Sequence, residues 1–189
     1  IPYPDSYRCP LKRSCGGCDL ACFEEGWKEV ELACDGPDPP GAVIVEPIQG
    51  RAGVIVPPPE FLPRLRERAR ARGMVVIYDE ILTGAGRTGP FWAWRRSGDD
   101  AAAEPDLLVT GKGIGGGVAV AALLGRPKLM DIWAKHLSAS GESPYASTFY
   151  AHPLACAGAL AAIPLLEKTT EEAAAVARAF EAGLPALRK

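Results

Sequence analysis

The chain has 189 residues, 48% hydrophobic and 23% charged, with a formal net charge of −2 and a pI near 5.8. That length supports one core burying roughly 70% of the surface an unfolded chain exposes, and the near-neutral balance argues against a nucleic-acid surface or a polybasic membrane anchor. The apolar run "VAVAALL" is too short to span a bilayer and the opening residues do not read as a leader, so a cytoplasmic protein is expected.

"IPYPDSYRCPLK" reads as a loop entered midway, and "EAGLPALRK" stops inside a helical pattern, which suggests a piece of a larger protein. Residues 1–40 are turn-rich around one amphipathic stretch, "LACFEEGWKEVELA". Cys9, Cys15, Cys18 and Cys22 are spaced C-x5-C-x2-C-x3-C. Thiolates at such spacing can bind zinc or an iron–sulfur cluster, so a metal-binding module is one alternative. Paired C-x2-C units would be needed for a strong signal and only one is present, so no metal ligand is assigned. The plainer reading is a reduced, cysteine-rich surface loop.

"GAVIVEP" is an apolar, β-branched run closed by Pro47 and reads as a buried strand. "EFLPRLRERARARG" puts Phe61, Leu62, Leu65 and Ala69 on one helical face, with charges opposite and Gly73 where a C-cap belongs. "MVVIYDE", "PDLLVT" and "VAVAALLG" (118–125) supply three further strands. Strands with a helix between the first two indicate an α/β fold with a mostly parallel sheet flanked by helices. Right-handed crossovers would then bring the strand carboxyl ends to one edge. That edge would carry Glu46, Asp79 and Lys112. Beyond it, "RPKLMDIWAKHL" reads as a helix and "SASGESPYASTFYAHP" as a loop. Pro164 should kink or end the alanine-rich helix "LACAGALAAIPLLEK". Thr169 with Glu172 forms a T-x-x-E capping box expected to open a last helix.

Lys112 sits in "LLVTGKGIGGG", and three chemistries compete for it. A phosphate-binding P-loop needs its glycines before the lysine and a hydroxyl after it; here the order is reversed and Gly113 follows, although "VVIYDE" imitates the acidic strand end of P-loop ATPases. "GKGIGG" satisfies G-x-G-x-x-G, but that fingerprint works only when it opens a helix, and a strand pattern follows. The third reading is an amine that forms an imine with a carbonyl cofactor. Such an amine needs an accessible neutral form, and flanking glycines let backbone and cofactor approach closely. A pyridine-ring cofactor also needs a carboxylate to keep its ring nitrogen protonated. Asp79 at a strand end suits that role, as it equally suits a solvated strand-end acid or a helix cap.

Together, "AVIVEPIQG", "VVIYDEILTGAGRTGPFWA", "PDLLVTGKGIGGG" and "STFYAHPLACAGALA" resemble, in order and spacing, the class III pyridoxal-phosphate aminotransferases, the family of ornithine, acetylornithine and 4-aminobutyrate aminotransferases. The resemblance covers the whole chain and implies part of the large domain of a fold-type I enzyme. It implies a Cys-rich lead-in over 1–40, a cofactor-binding part over 41–168 and the start of a small domain over 169–189. Pyridoxal 5'-phosphate would be the cofactor, an amine or ω-amino acid the donor, a 2-oxo acid the acceptor, and a homodimer the working form. An aminomutase or a decarboxylating transaminase would keep the same imine. Members are more than twice this length, so upstream phosphate-binding and ring-stacking groups and a downstream arginine for carboxylates are expected elsewhere, and this piece alone is expected to be inactive.

Residue by residue, Lys112 resembles the imine-forming lysine that also shuttles the substrate proton, and Asp79 the partner of the pyridinium nitrogen. Ile81 falls where the family packs an aliphatic side chain on one ring face. Thr148 resembles the threonine that reaches the partner subunit's cofactor phosphate; without its flanking motif it would read as an ordinary loop hydroxyl. Glu46 corresponds to a glutamate lining the site. Arg87, among glycines, reads as a loop-ordering residue rather than a substrate clamp. Two positions depart from the pattern. Arg51 stands where "EPIQGE" has a glutamate that pairs with the downstream arginine, and like charges at that range would repel. Arg51 therefore either contacts a substrate carboxylate or points to solvent. Leu82 replaces a glutamine that bonds the cofactor ring oxygen, a loss of roughly 1 kcal/mol.

Overall fold

A computed structural model describes residues 1–13, 19–97, 101–140 and 148–187. Four strands form one sheet: β1 (Ala42–Val45), β2 (Val75–Asp79), β3 (Leu107–Gly111) and β4 (Ala121–Gly125), in spatial order β1-β2-β3-β4. The first three are parallel and β4 runs antiparallel to β3. The link from Gly111 to Ala121 is too short for a crossover, so the chain can only double back. The expected strand over 118–125 therefore begins three residues late. Gly116 and Gly117 take positive φ of 59° and 100°, and the Val118 N–H donates to the Gly115 carbonyl instead of a ladder partner.

Helices α1 (Ala21–Cys34) and α2 (Phe61–Ala71) cover one face of the sheet. The face of α2 read from the sequence is the one that packs: Phe61, Leu62, Leu65 and Ala69 are all buried, against Phe23 and Trp27 of α1 and Val76 and Tyr78 of β2. Rings meet edge-on at this junction, Phe23 with Phe61 and Tyr3 with Phe61, an arrangement that adds to plain area burial. Gly73 terminates α2 with φ +70°. The Gly73 N–H bonds the Arg70 carbonyl and the Met74 N–H bonds the Ala69 carbonyl, the paired closure of a helix end that needs a left-handed residue between.

β1 departs from the buried strand expected. It pairs with β2 alone among the described residues, and Ile44 is 63% exposed. A strand with one neighbour and one covered face keeps the composition of a core strand without its burial. The alanine-rich segment departs too. Helix α4 runs unbroken over Pro153–Gly183, through Pro164 and past Thr169. Pro164 removes one backbone donor, but eleven helical residues before it and nineteen after it hold the helix together. The Thr169 hydroxyl donates back to the Leu166 carbonyl, so it caps no new helix. Between β3 and α4, α3 covers Pro127–Ser140. No helix among the described residues is long and apolar enough to cross a membrane.

One buried ion pair ties these layers. Arg66, 6% exposed, holds Asp106 through two hydrogen bonds of 2.7 and 3.0 Å, and Asp106 also accepts the Val76 N–H at 2.9 Å. Burial pushes the Asp106 carboxyl upward, but the Arg66 and Val76 hydrogen bonds outweigh it and leave the group below the usual carboxylate range. Its contribution to stability is therefore complete above the unfolded value of about 3.9 and is lost as pH falls through the lower folded value. Asp106→Ala strands the buried guanidinium and should cost about 3 kcal/mol by urea unfolding of the full-length protein at pH 7. The gap between wild type and variant should narrow below about pH 4.

Candidate active site

Parallel register brings the three strand ends together. Val45 pairs with Tyr78 and Asp79 with Val109. Glu46 therefore leaves β1 level with Asp79, and Lys112 follows β3 three residues beyond Asp79's partner. At about 3.3 Å per residue and 4.8 Å between strands, Lys112 and Asp79 start on the order of 10 Å apart at the same edge.

Each end is shaped locally. Glu46 turns its carboxylate back onto its own loop, accepting the Gly50 N–H at 3.0 Å. The loop closes as a small hairpin through the Gln49–Ile55 bridge. A Cβ on Gly50 would meet the end of the Leu82 side chain, so the loop after β1 packs closely on the loop after β2. Arg51 lies at the exposed tip of this hairpin. The Tyr3 hydroxyl donates to the carbonyls of both Glu46 and Pro47, at 2.9 and 3.0 Å, pinning the start of the chain beside the strand end. Tyr3, Val45, Glu46, Gln49 and Asp79 share a cleft of about 510 Å³; Lys112 is not among its lining residues.

Asp79 accepts the Ile81 N–H at 3.0 Å. Strand alternation sends Asp79 to the face opposite Tyr78 and places Gly111, two past Val109, on that same face. A Cβ on Gly111 would sit 3.7 Å from a methyl of Ile81, so Ile81 lies beside the end of β3. Lys112 is exposed and takes φ +46°, an unusual conformation for a residue with a side chain. It opens a single 3-10 turn, Lys112–Gly115, followed by β4 and not by a helix. The dinucleotide fingerprint thus lacks the helix it requires. The glycines serve close packing: a Cβ on Gly158 of α4 would come 2.9 Å from the Gly115 carbonyl, and one on Gly116 would come 3.0 Å from Ala162.

Thr148 is exposed on the turn before α4. Arg87 is exposed on the loop after β2. Cys15 and Cys18 fall outside the described residues, and no group of three or more potential metal ligands occurs among those described.

Glu80 takes no role from the motifs legible in the sequence. It is fully buried, and its carboxylate accepts the Thr83 hydroxyl at 2.6 Å and the Trp94 N–H at 2.9 Å. Burial raises its pKa; the Thr83 and Trp94 hydrogen bonds pull the other way without cancelling the rise. A signal existed: alternation from the buried Tyr78 puts position 80 on the core side. Tyr3 carries no such signal, because its partners lie more than forty positions away.

A family model described as Aminotransferase class-III matches residues 1–189. The leucine/methionine racemase of Thermococcus litoralis is 35% identical over 170 residues, which is 89% of this chain and 35% of that protein. The acetylornithine aminotransferase of Methanopyrus kandleri is 42% identical over 146 residues, 77% of this chain and 34% of that protein. Among solved structures, an amine transaminase from an uncultivated Pseudomonas species, in its PLP-bound form, superposes with a TM-score of 0.76 at 33% identity, covering 88% of this chain and 36% of its own. The chain spans about a third of the length of these curated relatives. With a match running from its first residue to its last, the chain belongs to the class-III aminotransferase family.

Proposed function

We propose that this chain is the cofactor-anchoring part of a pyridoxal-phosphate-dependent aminotransferase, which moves an amino group from an amine or ω-amino acid to a 2-oxo acid. The observation that carries the reading is a carboxylate and a lysine at the ends of adjacent parallel strands, on one sheet edge. The residues suit the cofactor: Asp79 and the end of β3 that leads to Lys112 share one face of the sheet, with an Ile81 methyl beside Gly111. When bound, the cofactor supplies an electron sink for the pair released as a substrate C–H bond breaks.

The chain's own residues do the rest. Asp79 holds the proton on the ring nitrogen, and its bond from the Ile81 N–H keeps the carboxylate oriented. Lys112 Nζ would hold the cofactor at its carbonyl carbon with loss of water and, once displaced there by the substrate amine, would be the free amine that moves the proton at the substrate carbon. Ile81 bounds one ring face and excludes water from it. Glu46 lines the entrance, held by Gly50. Thr148, exposed on the turn before α4, serves the phosphate of a partner subunit, which makes a homodimer the working form. Arg51, exposed at the hairpin tip, contacts the donor carboxylate. Residues 41–168 form the cofactor-binding part, and 169–189 lead toward a small domain. The similarity to a racemase favours one second reading, in which the substrate carbon keeps its amino group and receives its proton back on the opposite face.

In the full-length protein, a visible cofactor band should be present and should disappear in Lys112→Ala, with transfer falling by at least about a hundredfold. A band that survives Lys112→Ala would overturn the assignment. Asp79→Ala should lower kcat/KM by about 10- to 100-fold, the worth of one hydrogen bond to a charged group. Arg51→Glu should shift the preference among amino donors by about tenfold against those with an α-carboxylate. Product analysis on a single enantiomer of an amino acid, without a 2-oxo acid, separates racemisation from transfer.

A further inference from the structure

After β2, residues 81–94 form a loop, and one carboxylate joins its two ends. Glu80 receives the Thr83 hydroxyl at the start and the Trp94 N–H at the far end. Within the loop the Gly84 N–H returns to the Glu80 carbonyl at 2.9 Å and the Gly86 N–H bonds the Phe91 carbonyl at 3.2 Å. The Trp92 ring lies where a Cβ on Gly84 would stand, at 2.9 Å. Ala85, Gly86 and Gly89 all take positive φ, so the loop is tightly folded in a shape its backbone does not favour alone.

The loop's inner tip presses on the lysine turn. Ala85 is buried, and a Cβ on Gly113 would come 3.1 Å from the Ala85 Cβ. On its other side Gly86 faces α4, where a Cβ would meet Thr170 at 3.5 Å. The loop thus touches both the turn that begins at Lys112 and, farther along, α4. Lys112 itself holds a left-handed backbone at φ +46°, which persists only when surrounding structure enforces it. The enforcing contact on this side is Ala85, and Ala85 is placed by the loop that Glu80 closes.

We infer that Glu80 is a positioning residue for Lys112, acting through the 81–94 loop and the contact of Ala85 with Gly113. For its effect on turnover the inference rests on the aminotransferase reading; for its geometry it does not. Alternation makes the division of labour physical. Neighbouring carboxylates on one strand end face opposite ways, Asp79 toward the open face and Glu80 into the core, so one is free for chemistry while the other is committed to shape.

The test uses the full-length protein and three variants: Glu80→Gln, Thr83→Val and Thr83→Ser. Amide exchange is followed on the cofactor-free form, together with the rate at which a soluble amine-reactive ester labels Lys112, read by mass spectrometry across pH. Glu80→Gln should speed exchange at residues 113–118 by about tenfold or more, leave α2 amides unchanged, and displace the pH profile of Lys112 labelling. Thr83→Val should do the same more weakly, and Thr83→Ser should restore wild-type behaviour. In the loaded enzyme kcat should fall about tenfold with KM nearly unchanged. If only the Trp94 amide speeds up, while exchange at 113–118 and the Lys112 profile stay as in wild type, the inference is overturned. Should Glu80→Gln fail to fold, the threonine pair decides by the same two readouts. Loss of the aminotransferase reading would appear separately, as wild-type protein that takes up no cofactor.

Discussion

Parallel pairing of β2 with both its neighbours is the constraint on which the site depends. Were β1 or β3 reversed, Glu46 or Lys112 would leave the sheet at the opposite edge from Asp79. The direction is enforced from the core side, where α2 returns the chain across the sheet between β1 and β2. Arg66 of α2 then grips Asp106 just before β3, while Asp106 also takes the Val76 amide of β2. A single charged contact therefore fixes where β3 starts relative to β2, and through the ladder where it ends. The register that follows sets Asp79 opposite Val109.

At the sheet edge, backbone conformation rather than side-chain bulk sets the shape. Gly50, Gly111, Gly113, Gly115 and Gly158 are each approached by another segment at a distance that a larger residue would block or crowd. Loops that close on one another through glycine can bring three strand ends and a helix to one place without a large apolar core there. The cost is that such contacts carry little burial energy. Fixed hydrogen bonds substitute for it: Glu46 to Gly50, Tyr3 to the Glu46 and Pro47 carbonyls, and Glu80 to Thr83 and Trp94.

Much of this could be read from the residues. The apolar face of α2 and its Gly73 ending follow from a 3.6-residue period and the left-handed tolerance of glycine, both local properties. Strands β2 and β3, and the edge carrying Glu46, Asp79 and Lys112, follow from pattern plus the handedness of crossovers. Properties that belong to neighbours could not be read. β1 looks like a central strand because composition reports what a strand can tolerate, not how many strands flank it. Pro164 and the Thr169–Glu172 box look like boundaries because local stop and start signals are weak against the cooperativity of a 31-residue helix. Glu80 sat in plain view beside Asp79, and its role emerged only once its two partners, one of them fourteen positions away, were located.

The outer side of β1 has a consequence at the bench. Its amide and carbonyl groups face outward with no partner strand among the described residues, and Ile44 stands open beside them. Such an edge is a template for any extended segment that meets it, including the same strand of another molecule. Preparations of this stretch by itself would be prone to intermolecular strand pairing and precipitation, at a rate that climbs with concentration. A charged residue on that strand, as in Ile44→Lys, is the kind of gatekeeper that would keep such material in solution.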